Sequence, residues 1–133
     1  QFEARCGQRI LERYGMTETG MMSSNPYTGE RLAGTVGMPL PGISMRIANA
    51  ETGEVLAQGE SGVVEVKGPN VFKGYWNKPE KTAEDFRDDG YFVTGDIGRF
   101  DEQGYLSIIG RAKDLIIFWH PLSNHIWYCS HII

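Results

Sequence analysis

The sequence predicts a mainly β protein, built as an antiparallel meander or a distorted barrel with a few short helices. Two observations lead to this prediction. Apolar and polar residues alternate over residues 43–47, as expected for a strand with one buried face. Turn-forming residues recur at short intervals, over residues 49–53, 59–62 and 101–104, which leaves room only for short strands joined by tight turns.

Size and composition limit the classes of function. The 133 residues suffice for one domain with a modest core, and 41% of them are hydrophobic and 23% charged. The formal net charge of -4 argues against nucleic acids or acidic membranes as partners, and no apolar run is long enough to cross a bilayer. Two distant cysteines, Cys6 and Cys129, lack metal-ligand spacing and favour a reduced compartment. We expect the cytoplasm, with the mitochondrion as the alternative.

The first elements precede the β-rich part. Residues 2–6 are predicted to end a helix that Gly7 closes, since glycine readily adopts the left-handed conformation there. Residues 9–14 are predicted to form a strand that leads into a glycine-containing loop. Residues 23–34 are rich in Ser, Asn, Pro and Gly, which indicates an irregular surface loop.

Short strands follow in close succession. After a turn at residues 39–42, strands are predicted over residues 43–47, 54–56 and 63–67. The turns between them are short, so neighbouring strands are expected to pair antiparallel.

One helix interrupts the strands. It is expected to begin at Pro79, because proline at the first helical position loses no hydrogen bond. We expect Phe86 to face the core and residues 88–90 to end the helix. Residues 97–100 and 105–109 then form a predicted hairpin.

The last segment, residues 118–133, differs in composition from the rest. It contains no Asp, Glu, Lys or Arg, and it holds all three histidines, His120, His125 and His131. Their spacings fit no common pattern of metal ligands. We expect a tail that is not native to the preceding domain, arising from intron read-through, a frameshift or a truncated gene model.

The segment at residues 14–20 carries groups suited to a nucleotide. The ring of Tyr14 can stack on adenine, and Gly15 lets the backbone approach a ligand. The hydroxyl of Thr17 can bind a phosphate oxygen, and the carboxylate of Glu18 can hold Mg²⁺, which prefers oxygen ligands. A plain turn with a solvated acid explains the same residues.

A second set of groups follows in the β-rich part. Residues 94–96 are predicted to form a loop after a short strand, where Asp96 can accept hydrogen bonds from the vicinal hydroxyls of a ribose. The alternative is a turn aspartate that bonds its own backbone. Arg111, after the hairpin, can reach the same ribose or the phosphates, or it is a surface arginine.

Three motifs thus occur in order, at residues 14–18, 90–96 and 110–114. In that order they resemble the motifs of the adenylate-forming, AMP-binding enzymes, which include acyl-CoA synthetases, luciferases and peptide-synthetase adenylation domains. The likeness extends over residues 1–117. Within this superfamily, four segments resemble malonyl-CoA and methylmalonyl-CoA synthetases: residues 12–21, 24–27, 67–76 and 86–90. Of these, residues 71–76 are shared by many acyl-CoA ligases and indicate the superfamily more than the substrate.

The resemblance implies roles for individual residues. ATP or AMP would be held by Tyr14, Gly15, Thr17, Asp96 and Arg111. Thr17 and Glu18 would act in catalysis, and Glu18 would also bind Mg²⁺. Lys113 would be the hinge of a domain rotation, and Met21 would line the acyl pocket unless it is an ordinary core methionine.

The resemblance further implies a mixed α/β parent enzyme that adenylates malonate or methylmalonate with ATP and Mg²⁺ and transfers the acyl group to coenzyme A. Residues 1–20 would end its α/β nucleotide-binding subdomain, and residues 21–110 would form the β-rich subdomain. Residues 111–117 would be the hinge to a small C-terminal domain, and residues 118–133 the tail foreign to the family.

The chain also departs from the family pattern. The family continues after Ile117 into a Gly-Gly turn and a small domain that carries a lysine for adenylation, and its phosphate loop would lie before Gln1. We therefore expect a piece of a longer protein that is inactive by itself. Three alternatives remain: another acyl- or aryl-CoA ligase, an amino-acid adenylation domain, or a non-catalytic β module.

Overall fold

The computed structural model describes residues 2–114, 116–118 and 127–129, the last two segments by their backbone alone. Two short helices and nine strands are present in these ranges, which confirms the prediction of a mainly β chain with short helices. In chain order they are α1 (Phe2–Cys6), β1 (Arg13–Met16), β2 (Gly20–Ser24), β3 (Met38–Pro39), β4 (Ser44–Ala48), β5 (Gly62–Lys67), α2 (Pro79–Asp85), β6 (Phe92–Phe100), β7 (Leu106–Arg111), β8 (Ile116–Phe118) and β9 (Trp127–Cys129).

The strands form three antiparallel sheets, with the orders β1-β2-β3, β4-β5-β6-β7 and β8-β9. In the four-stranded sheet each strand pairs with the next one along the chain, so the sheet is the predicted meander. The described strands do not close into a barrel. Neither described helix has the length or apolar character needed to cross a membrane.

Two hydrophobic clusters lie against this sheet. The first is centred on Met22, Val66 and Phe92, and the second on Ile47, Val64 and Leu106. The side chains of Tyr14 and Met45 pack against both clusters and so connect them. The predicted contact of Phe86 with the core is confirmed, since its ring lies 5.3 Å from that of Phe92.

Strand β5 carries a buried charge that the sequence analysis did not anticipate. Glu65 is fully buried, yet both of its carboxylate oxygens are paired. Arg46 Nε and Arg87 Nε each lie 2.7 Å from one of them. Arg46 also pairs with Asp89 and lies 3.8 Å above the ring of Tyr91. Burial of this carboxylate is tolerable because two guanidinium groups replace the lost water.

The first predicted strand is displaced. Pairing in β1 begins only at Arg13, opposite Ser24, and it extends through Met16 into the segment expected to be a loop. The partner strand β2 ends at Ser24, and beyond it a single backbone hydrogen bond joins Asn25 N to the Glu12 carbonyl oxygen, while the buried side-chain amide of Asn25 donates to the Thr35 carbonyl oxygen. The expected surface loop at residues 23–34 therefore begins with buried residues rather than exposed ones.

The expected loop at residues 94–96 is a bulge within β6. Strand β5 pairs Glu65 with Val93 and Val63 with Ile97, so three residues of β6 lie opposite one residue of β5. Gly95 has a φ of 77°, and Thr94 Oγ1 donates to the Val64 carbonyl oxygen in place of a ladder hydrogen bond. The sequence suggested a loop because it places a glycine between two polar residues. Loops and bulges share this composition, so it does not distinguish them.

The remaining elements differ less from expectation. Helix α1 ends at Cys6 and is closed by Gly7, whose φ is 66°, as predicted. Helix α2 begins at Pro79 but ends at Asp85, before the expected stop. Residues 54–56 form only an isolated bridge rather than a strand. The histidines of the last segment, whose metal-ligand role was considered above, lie outside the described residues.

Candidate functional site

A cleft of about 650 Å³ brings together all three sequence motifs. It lies between the β1–β2 turn, the bulge of β6, the end of β7 and helix α2. Four of the predicted site residues line it directly, namely Gly15, Thr17, Glu18 and Arg111, and so does the predicted hinge residue Lys113. The folding of the chain thus joins segments that are far apart in the sequence.

The turn between β1 and β2 presents Thr17 and Glu18 to the cleft. Thr17 is exposed and Glu18 is half-buried, so both side chains are accessible. A neighbouring segment holds the turn from behind: Phe72 N donates to the Glu18 carbonyl oxygen at 2.8 Å, and Asn70 Nδ2 donates to the Thr19 carbonyl oxygen. The backbone of the turn is therefore fixed while its side chains remain free.

Gly15 is required by the hairpin itself. A Cβ at this position would lie 2.6 Å from the Gly20 carbonyl oxygen and 2.9 Å from Met21 Sδ. Met21 lies opposite Gly15 across the two strands and does not line the cleft. Met21 is 42% exposed within this chain, whereas the neighbouring Met22 is fully buried.

Asp96 connects the first motif to the third. Its Oδ2 accepts a hydrogen bond of 2.5 Å from the Tyr14 hydroxyl, and its Oδ1 lies 3.5 Å from Arg111 Nε. The side chain therefore does not cap its own backbone, as the turn interpretation required. Burial, followed by the hydrogen bond to Asp96, raises the pKa of Tyr14 well above its usual value.

The positions of Tyr14, Asp96 and Arg111 are set by the strands. Antiparallel pairing places Asp96 directly opposite Arg111, while Asp96 follows the bulge residues Thr94 and Gly95, which line the cleft. Arg111 is largely exposed and thus also fits the description of a surface arginine. The structure brings these residues together at one edge of the cleft, although Tyr14 and Asp96 are not part of its lining.

Helix α2 supplies a wall that sequence reasoning missed. Asp85 accepts a hydrogen bond of 3.1 Å from the Tyr75 hydroxyl and forms an ion pair with Lys81 at 2.7 Å. All three residues line the cleft. Burial, and then the contact with Asp85, raises the pKa of Tyr75. The four-residue spacing of Lys81 and Asp85 signals an ion pair on a helix, but not that the pair faces a cleft.

The carboxylates of the cleft fit Mg²⁺ only as a companion of phosphate. Over residues 2–114 no group of three or more metal-binding side chains forms a site by itself. Asp85 already binds Tyr75 and Lys81, which leaves Glu18 as the accessible carboxylate. Magnesium commonly binds proteins through one or two carboxylates plus substrate phosphates, and this donor set matches that pattern.

Comparison with curated proteins gives several relatives. The chain is 55% identical over 111 residues to a malonate–CoA ligase of Arabidopsis thaliana, covering 84% of this chain and 18% of the relative. It is 44% identical over 118 residues to a long-chain-fatty-acid–CoA ligase of Bacillus subtilis (88% and 21%). It is 40% identical over 135 residues to a mitochondrial malonate–CoA ligase of Mus musculus (88% and 23%).

Solved structures give the same result. ATP-bound MatB from Rhodopseudomonas palustris matches with a TM-score of 0.85 and 59% identity, over 87% of this chain and 23% of that one. A malonyl-CoA ligase in complex with methylmalonyl-CoA and AMP matches with a TM-score of 0.74 and 46% identity, over 86% and 25%. The chain thus spans about a quarter of these proteins or less.

The family profile agrees with these relatives and with the geometry of the cleft. The profile described as AMP-binding enzyme matches residues 1–76, more than half of the chain. The chain therefore belongs to the family of AMP-binding enzymes.

Proposed function

We propose that the chain is part of an ATP-dependent acyl-CoA ligase that adenylates malonate or methylmalonate and transfers the acyl group to coenzyme A. The observation that carries the proposal is the meeting of the three motifs at one cleft. The names of the Arabidopsis and mouse relatives, and the ligands of the matched malonyl-CoA ligase, support the choice of acid.

The proposed roles follow from what each side chain offers. Thr17 would donate its hydroxyl to the α-phosphate, and Glu18 would hold Mg²⁺. Arg111 would add positive charge beside the ribose and phosphates. Such groups assist adenylation mainly by positioning the carboxylate near the α-phosphate and by stabilising negative charge. In the reaction a carboxylate oxygen attacks the α-phosphorus and pyrophosphate leaves; the thiol of coenzyme A then displaces AMP.

Three further roles complete the proposal. Tyr14 would pack against adenine, since the residue is only half-buried. Asp96 would accept hydrogen bonds from the ribose hydroxyls. Gly15 would keep the backbone close to the nucleotide, and Met21, as an exposed side chain outside the cleft, would meet the acyl group only in the longer protein.

The domain boundaries are part of the proposal. Residues 1–20 would end the α/β nucleotide-binding subdomain, and residues 21–110 would form the β-rich subdomain. Lys113, exposed in the turn after β7, would be the pivot of a hinge at residues 111–117. Residues 118–133 would be a tail foreign to the family. The compartment would be the cytoplasm, or the mitochondrion as in the mouse relative.

The first experiment uses the full-length protein that contains this chain. It is incubated with ATP, Mg²⁺, coenzyme A and one of four acids: malonate, methylmalonate, a long-chain fatty acid or an aromatic acid. The acyl-CoA product is measured by mass spectrometry. We expect Asp96→Ala to abolish product formation and Asp88→Ala, an exposed acid outside the cleft, to leave it unchanged. No product with any acid would refute the proposal.

A long-chain fatty acid is the second candidate substrate. It is favoured by the 44% identity to the Bacillus subtilis ligase. Product from a fatty acid but not from malonate would decide for this candidate.

A further inference from the structure

The carboxylate of Asp96 has one firm partner and one weak partner. Its Oδ2 accepts the short hydrogen bond from the Tyr14 hydroxyl, whereas its Oδ1 is 3.5 Å from Arg111 Nε. The Arg111 side chain is 70% exposed, so water competes for its charge. The Tyr14 hydroxyl is thus the nearer of the two partners of this carboxylate.

Tyr14 and Asp96 are held in place in different ways. The ring of Tyr14 packs against both hydrophobic clusters. Asp96, by contrast, follows a bulge in which Gly95 has a φ of 77° and no atom lies within 4 Å of a Cβ placed on Gly95. The packed ring of Tyr14 gives the Asp96 carboxylate beside this bulge a hydrogen-bond donor in a fixed position.

We propose that the Tyr14 hydroxyl is a positioning group that orients Asp96 toward the ribose of a bound nucleotide, a role separate from stacking on adenine. The inference rests on the proposed function. An ionised carboxylate can accept about four hydrogen bonds. Tyr14 and Arg111 use two of them, which leaves two acceptors for the two hydroxyls of a vicinal diol.

The test separates the hydroxyl of Tyr14 from its ring. Tyr14→Phe keeps the ring and removes only the hydrogen bond to Asp96. Tyr91→Phe is the matched control, because the Tyr91 hydroxyl bonds Ser44 on the same sheet and does not line the cleft. Affinities for AMP and for 2′-deoxy-AMP are measured by calorimetry on the full-length protein, together with the thermal midpoint of each variant.

We expect Tyr14→Phe to weaken AMP about fivefold, the equivalent of one ordinary hydrogen bond, and to weaken 2′-deoxy-AMP less, since that analogue keeps only one of the two hydroxyls. The preference for AMP over its deoxy analogue should fall accordingly. Asp96→Asn should abolish that preference, and adding Tyr14→Phe to it should cost nothing more, since both changes act on one interaction. Tyr91→Phe should match the wild type.

The outcomes separate this inference from the proposed function. An unchanged preference in Tyr14→Phe, or equal weakening of both nucleotides, would overturn the positioning role. A wild-type protein that binds AMP and 2′-deoxy-AMP equally well would also overturn it. If AMP binds with the expected pattern but no acid is converted, the ligase proposal alone fails.

Discussion

At the scale of single residues, the buried charge of Glu65 makes the sharpest prediction for stability. Glu65→Gln would leave Arg46 and Arg87 beside a neutral amide. We expect a loss of about 3 kcal/mol in the free energy of unfolding, at the lower end for a buried pair because both arginines keep contact with water. Urea denaturation measures the loss. Glu84→Gln, an exposed acid 3.6 Å from Lys81, is the control and should change little.

Tyr14 makes a prediction for high pH. The folded chain raises the pKa of Tyr14, through burial first and the Asp96 hydrogen bond second. Above about pH 10, where an unfolded tyrosine releases its proton, the folded state still holds it. Stability is therefore constant below that pH and falls above it, by at most about 1.4 kcal/mol per pH unit for this group.

Urea midpoints between pH 8 and pH 11 test this dependence. The decline in stability with pH should be shallower in Tyr14→Phe than in Tyr91→Phe. The reason is that the Tyr14 hydroxyl bonds the buried carboxylate of Asp96, whereas the Tyr91 hydroxyl bonds Ser44. Equal slopes in the two variants would contradict the assignment. Tyr75 contributes to the decline in both, because burial also raises its pKa.

At the scale of elements, Asn70 is predicted to hold the β1–β2 turn in place. Its Nδ2 donates to the Thr19 carbonyl oxygen, while its buried Oδ1 has no hydrogen-bond partner among the described residues. Asn70→Ala therefore removes one good bond and one unsatisfied acceptor, so the net cost in stability should be small. Asn70→Asp places a second acceptor against Thr19 O and should cost about 2 kcal/mol.

Thermal or urea denaturation compares the two substitutions. The order, with the aspartate variant less stable than the alanine variant, is the critical result. The reverse order would contradict the role assigned to the hydrogen bond between Asn70 and the Thr19 carbonyl oxygen.

The elements also show what sequence reasoning can and cannot supply. The meander, helix α2 and the hairpin of β6 and β7 were predictable, because alternation, Pro79 and closely spaced turns are local signals. The start of β1 was not, since it depends on where its partner strand β2 ends, which is set by a different segment of the chain. The bulge at Gly95 was taken for a loop because register is decided by β5, a different segment.

The same distinction applies to the site. Thr17, Glu18 and Arg111 were found from their motifs, and the structure places them in one cleft. The contributions of Asp85 and Asn70 were missed, since nothing in the sequence indicates which element faces which. A lysine four residues before Asp85 was the only usable signal.

At the scale of the whole molecule, the two hydrophobic clusters are expected to unfold as one unit, because Tyr14 and Met45 contact both. Met22→Ala and Leu106→Ala each remove a fully buried side chain, one from each cluster, and should each cost about 2–5 kcal/mol of global stability. Met21→Ala is the control, since that side chain is 42% exposed.

Circular dichroism and tyrosine fluorescence should follow the same transition in all three variants. Two separate transitions, with Met22→Ala shifting one and Leu106→Ala the other, would show that the clusters are independent. A large effect of Met21→Ala would contradict the assignment of burial.

The hydrogen bond between Tyr14 and Asp96 has a consequence for the order of folding. The contacts of Glu65 join residues 19 and 22 positions apart, whereas Tyr14 and Asp96 are separated by 82 positions. Closing a longer loop costs more entropy, and contacts distant in sequence tend to form late. The four-stranded meander can therefore assemble before strand β1, which carries Tyr14, packs against it. A nucleotide that requires Tyr14 and Asp96 together would bind only to chains that have completed this last step, and so would select the fully folded molecules.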